Sequence, residues 1–167
     1  MAEELFKTTL VYLAAPPGRV RQRHGPVNKG AYAGDVTPKE AWEMLARESR
    51  AQIIDVRTDA EWAYVGVVDL RPLGKEPFLA PWKLFPSQQV NADFVAQVRE
   101  KFPERDGPLL LLCRAGPRAK DAAIALTREG YARCYNIAQG FEGDRDAQAH
   151  RNTKGGWRVD GLPWIQS

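Results

Sequence analysis

Apolar positions along the chain alternate between a helical rhythm and short continuous runs. In "GDVTPKEAWEMLARES" the apolar Ala41, Trp42, Leu45 and Ala46 recur at helical spacing. Thr37 is a natural N-cap for that helix, Pro38 suits its first position, and Glu40 completes a capping box. "AQIIDVR" is a short run rich in β-branched residues and predicts a buried strand. "TDAEW" repeats the cap chemistry through Thr58 and Glu61, so a short helix is expected directly after it. "VGVVDL" reads as a weaker second strand, and "GKEPFLAPWKLFPSQQV" as irregular, aromatic chain. Asn91 is the expected cap of "ADFVAQVREKF", whose Phe94, Val95 and Val98 share one face. "PLLLLC" predicts a third strand, too uniformly apolar to have a wet side. "PRAKDAAIALTREG" predicts a helix ended by Gly130 in the left-handed conformation. Its Ala119, Ala122, Ala123 and Leu126 allow close approach to a sheet, and "ARCYNI" reads as another buried strand.

Strands alternating with helices, and apolar on both sides, predict an α/β fold with a central parallel sheet covered by helices on both faces. The last stretch, "GFEGDRDAQAHRNTKGGWRVDGLPW", is polar until Trp157 and is expected to fold back over one end. Residues 1–32 read differently. "AAPPGRVRQRHGPVNKG" carries Pro, Gly and four Lys or Arg residues with too few apolar groups to pack, and predicts a flexible N-terminal extension. The folded domain is expected over residues 33–167.

Composition narrows the function. Hydrophobic residues make up 44% and charged ones 27%, which is globular rather than disordered. Lys and Arg number 24 against 21 Asp and Glu, a formal +3 that leaves no dense basic face for nucleic acid. No apolar run approaches the roughly 18 residues of a membrane span. The start carries Glu3 and Glu4 where a secretory signal needs basic residues, which predicts a cytoplasmic protein. Two cysteines without a C-x-x-C pair, and two distant histidines, predict neither a disulfide framework nor a metal site.

The chemistry concentrates in "CRAGPRA". Cys113 ends a predicted strand and the next helix begins near Pro117, so its sulfur faces unpaired helix N–H groups that favour negative charge. In parallel α/β folds, ligands gather at this end of the strands. Arg114 and Arg118 add positive charge where they turn inward, and the small Ala115 and Gly116 let the backbone curl round a bound anion. An activated nucleophile can be assembled here without a histidine base.

This loop resembles that of single-domain rhodaneses, sulfurtransferases that carry sulfur as a cysteine persulfide. "IIDVRTDAEW" resembles the family's Asp-Val-Arg motif with its acidic residue, "CYNIAQGFEG" its strand and glycine-rich turn, and "GGWRVDGLPW" its ending. The likeness runs from Gly34 to Trp164 and implies a rhodanese-like fold. It implies that Cys113 takes sulfane sulfur from a small anionic donor such as thiosulfate, or from a persulfide, and passes it to a thiol or cyanide, with no cofactor or metal. A protein sulfur acceptor is compatible with it. Arg114, Ala115, Gly116 and Arg118 are implied as substrate-binding: Arg114 steers the donor, Arg118 closes the loop and attracts leaving sulfite. The alternative is a low-turnover sulfur-carrier or protein-interaction module.

Three positions depart from the family pattern. Val67 stands where a histidine is usual, Pro117 removes one N–H from the loop, and Ala119 replaces a Ser or Thr. Tyrosine-phosphatase-like loops place five residues between Cys and Arg, whereas four separate Cys113 from Arg118. The smaller ring suits a terminal sulfur better than a tetrahedral phosphate. Elsewhere the plainer readings prevail. Cys134 fills a strand interior, and Asp55 with Arg57 forms a scaffold pair. Trp82, Phe85, Trp157 and Trp164 cover a core edge rather than an acceptor pocket, and His150 is solvated. Arg145, Arg151 and Lys154 are a candidate rim for anionic donors.

Overall fold

The computed structural model describes residues 31–167, so the extension expected over residues 1–32 lies outside the described residues except for its last two. In chain order the elements are β1 (Gly34–Val36), α1 (Pro38–Arg47), β2 (Gln52–Asp55), α2 (Asp59–Val65), β3 (Val67–Val68), β4 (Phe78–Leu79), α3 (Phe94–Lys101), β5 (Leu109–Leu112), α4 (Pro117–Arg128), β6 (Cys134–Ile137) and β7 (Trp164–Ile165). Five strands form one parallel sheet in the order β1-β6-β5-β2-β4. No helix among the described residues is long and apolar enough to cross a membrane.

Successive strand residues serve different cores, as a period of two requires. Ile54, Leu109 and Leu111 pack with Phe94 and Val98 of α3 and the Ala119, Ala122, Ala123 and Leu126 stripe of α4. Ile53, Leu110 and Leu112 pack on the other side with Ala41 and Leu45 of α1, Phe141 and Trp157. The uninterrupted "LLLL" of β5 is thus explained by burial on both faces.

Local signals set the helix ends. Thr37 and Glu40 form a complete capping box on α1, and Thr58 and Glu61 form another on α2. At the end of α4, Gly130 has φ +94°, its N–H donates to the Thr127 carbonyl and that of Tyr131 to the Leu126 carbonyl. This is the double-bonded glycine cap expected there.

Other expectations need correction. Asn91 does not cap α3: its side chain accepts from the Asp93 N–H at 3.1 Å and donates to the Pro81 carbonyl at 3.0 Å, ordering a turn ahead of the helix. "VGVVDL" contains a strand, but β3 lies outside the main sheet and pairs antiparallel with β7. The chain turns into it at Gly66, φ +103°, where an added Cβ would sit 2.5 Å from the Ile165 carbonyl oxygen. β1, β4 and β7 span only two or three residues, too few for any periodicity to show.

Candidate active site

β5 is the middle strand of the sheet, and Cys113 directly follows its last residue. The loops after β2 and β6 flank it at the same edge. The Gly116 N–H donates to Cys113 Sγ at 3.0 Å, the one bond that joins any of the four expected loop amides to the sulfur among the described residues. Gly116 holds φ +117°, and a Cβ there would collide with the Ala138 carbonyl oxygen. A residue with a side chain would therefore displace the very N–H that faces the sulfur. Pro117 opens α4 at its first position, where a missing N–H costs the helix nothing.

The turn after β6 clamps this loop from behind. The Phe141 N–H donates to the Cys113 carbonyl at 2.8 Å and the Glu142 N–H to the Arg114 carbonyl at 3.0 Å. Gly140, φ +58°, lies so close to both carbonyls that a Cβ would overlap them. Cys113 is free and 1% exposed. Ala115 is half-buried, Arg114 is exposed, and Ala119, in the first turn of α4, packs in the core.

Arg118 turns away from solvent and binds Glu61 of α2 through two hydrogen bonds, 2.8 and 2.7 Å. Burial by itself would raise the Glu61 pKa; the bonds from Arg118 and Thr58 overcome it and hold the carboxyl down to about 2. The guanidinium is likewise penalised by burial, and Glu61 more than compensates. One carboxylate therefore caps α2 and fixes the first turn of α4. The 57-residue separation gave no sequence signal for this contact.

Asp55 and Arg57 are fully buried and paired at 2.6 Å. Arg57 also donates to the Gly66 carbonyl at 2.8 Å and stacks 4.1 Å from the Phe141 ring centre. The pair thus joins the end of β2 to the entry of β3 and to the clamping turn, as a scaffold pair would. Cys134 is buried among apolar groups, which pushes its thiol up to about 12. Trp157 is fully buried and Trp82 packs edge-on against Phe94 at 5.3 Å. Arg158 covers Trp164 at 4.1 Å. His150 is exposed.

Beside the Cys113 loop opens a cleft of about 460 Å³ lined by Thr58, Glu61, Lys83, Phe85, Arg114 and Arg118, among others. Cys113 is not part of its lining, and neither are Arg145, Arg151 and Lys154. Arg151 is instead held to the Gly143 carbonyl at 2.6 Å. Phe85, unlike the tryptophans, is 58% exposed at the cleft. Nothing near Lys83 in the chain marks it as part of a cleft beside the Cys113 loop.

The fold and its sequence have recognisable relatives. A crystal structure of Rv0390 from M. tuberculosis superposes with a TM-score of 0.76 at 45% identity, covering 81% of this chain and 99% of that one. RC0915 of Rickettsia conorii, an uncharacterized protein, is 35% identical over 130 residues, 78% of this chain and 95% of its own length. The thiosulfate sulfurtransferase GlpE of Haemophilus influenzae is 27% identical over 109 residues, 65% of this chain and 85% of its own. The family described as the STR4 middle domain matches residues 33–167. With its central parallel sheet and the cysteine loop at the sheet's carboxyl edge, the chain is a rhodanese-like domain protein and belongs to the STR4 middle-domain family.

Proposed function

We propose that the protein is a sulfurtransferase in which Cys113 carries sulfane sulfur as a persulfide. The Cys113 thiolate attacks the outer sulfur of thiosulfate, the donor's S–S bond breaks, and sulfite leaves with the electron pair. A thiophilic acceptor, cyanide in an assay or a thiol in the cell, then takes the terminal sulfur and returns the thiolate. Two covalent half-reactions give ping-pong kinetics. A cytoplasmic setting, where thiols stay reduced, suits this use of a free cysteine.

The observation that carries this reading is the 3.0 Å hydrogen bond from the Gly116 amide to the Cys113 sulfur at the opening of α4. A backbone donor and a helix N-terminus both favour an anion there. The amides of Arg114, Ala115 and Arg118 are the remaining candidates for holding the second sulfur. Arg114 meets the donor, while Arg118 sets the loop's shape through Glu61. The near-complete burial of Cys113 favours a second reading, a sulfur carrier or interaction module that turns over slowly with small donors.

Intact mass spectrometry after thiosulfate or persulfide treatment tests the first step: the chain gains one sulfur atom and the Cys113→Ser variant gains none. Steady-state thiocyanate release then separates the readings. Release dependent on Cys113 supports the enzyme, an adduct without release supports the carrier, and no adduct from any donor refutes both.

A further inference from the structure

We infer that Lys83 is the donor-recognition residue of this cleft, binding the anionic end of the sulfur donor together with Arg114. The inference rests on the sulfurtransferase reading and adds a residue to it from outside the cysteine loop. Four charged side chains line the cleft: Glu61, Arg118, Lys83 and Arg114. Glu61 and Arg118 neutralise one another through their two hydrogen bonds, with both side chains less than one-fifth exposed. The cleft's excess positive charge therefore belongs to Lys83 and Arg114, neither of which forms a salt bridge among the described residues. Attracting the leaving sulfite, which the family resemblance implies for Arg118, falls to a lysine thirty-five residues earlier in the chain.

Lys83 is held in place by its backbone. It pairs with Val90 in an antiparallel bridge, and the Leu84 N–H donates to the Gln89 carbonyl at 2.9 Å. The base of this hairpin is fixed to the sheet: the Trp82 N–H donates to the Val56 carbonyl at 3.1 Å and the Asn91 N–H to the Trp82 carbonyl at 2.9 Å. Trp82 is further seated on Phe94. The fixed backbone sets where the side chain starts, and the lysine serves as a compact point charge with three donors on a flexible stem. When Cys113 takes the outer sulfur of thiosulfate, the departing sulfite carries both negative charges. Lys83 and Arg114 are the unneutralised cations of the adjoining cleft.

Two measurements on the full chain test the assignment. In the Cys113→Ser background, sulfite binding is followed by titration calorimetry with Lys83 intact and as Lys83→Ala, Lys83→Gln and Lys83→Arg. The neutral variants are expected to raise the Kd about tenfold, the scale of one charge-assisted contact, and arginine to restore most of it. With Cys113 intact, the neutral variants raise the KM for thiosulfate by a similar factor, leave kcat nearly unchanged, and leave the KM for an alkyl persulfide, which has no sulfonate end, as it was. Sulfite affinity unaltered in the neutral variants, absent with Lys83 intact, or reduced only as far as thermal stability falls would overturn the inference. So would an equal KM rise with the persulfide, which lacks the sulfonate end. Failure of Cys113 to acquire sulfur with Lys83 intact refutes the parent reading instead, while sulfite binding still decides the role of Lys83.

Discussion

Asp55 and Arg57 show how far a single residue's cost depends on its partner. Both are shielded from water, and the carboxylate receives the guanidinium through bonds of 2.9 and 2.6 Å. Truncating Asp55 leaves a buried cation whose other contacts are the Gly66 carbonyl and the Phe141 face. Asp55→Ala is therefore expected to destabilise the fold by about 3–5 kcal/mol, the usual cost of breaking a buried pair. Urea denaturation measures it, and a variant that keeps wild-type stability would contradict the scaffold role. The pairing itself was legible in "DVR", two charged residues at the end of an apolar strand. The ring contact was not, because Phe141 is 84 residues downstream of Arg57. Gly116 and Gly140 present the same division. Their presence near turns is plain in the sequence, whereas the carbonyls that exclude a side chain at each come from other loops.

At the scale of elements, the contact between α2 and α4 is electrostatic and therefore pH-dependent. Glu61 has a folded pKa of about 2 against an ordinary 4.5. Because the folded value is the lower one, its stabilising contribution is complete above 4.5 and is lost as pH falls through about 2. Glu61→Gln is expected to lose roughly 2–3 kcal/mol at neutral pH and to flatten the decline of stability across that acidic window. Chemical denaturation at a series of pH values reads the effect, and an unchanged acid limb would show that the carboxyl is not coupled to folding. The capping box predicted Glu61 as a local cap because that signal spans three residues. Its second task needed α4 to be brought alongside. The helices were legible in the same way, through caps and periodicity, and so were the long apolar strands. β1, β4 and β7 were not: each takes its extended form from hydrogen bonds to a neighbouring strand rather than from its own few residues.

Across the whole molecule, the C-terminal segment closes the core on the α1 side of the sheet. Trp157 is fully buried, packs edge-on against Trp42 at 6.0 Å and donates its indole N–H to the Pro163 carbonyl at 2.8 Å. β7 then pairs with β3 beside it. Trp157→Ala is expected to cost about 3–5 kcal/mol, and its thermal transition would fall accordingly. A small shift would mean that the segment packs loosely and that the cysteine edge does not depend on it. The expectation that this polar stretch folds back over one end came from one tryptophan in a hydrophilic run. Which face it covers followed only from the packed chain. By itself the sequence determined the α/β alternation, the helix caps, the cysteine at a strand end and the small residues after it, since each depends on neighbours within one or two turns. Tertiary structure alone decided that Arg118 is neutralised by Glu61 and that Lys83 stands at the cleft, because charge in a site is the sum over side chains that only packing brings together.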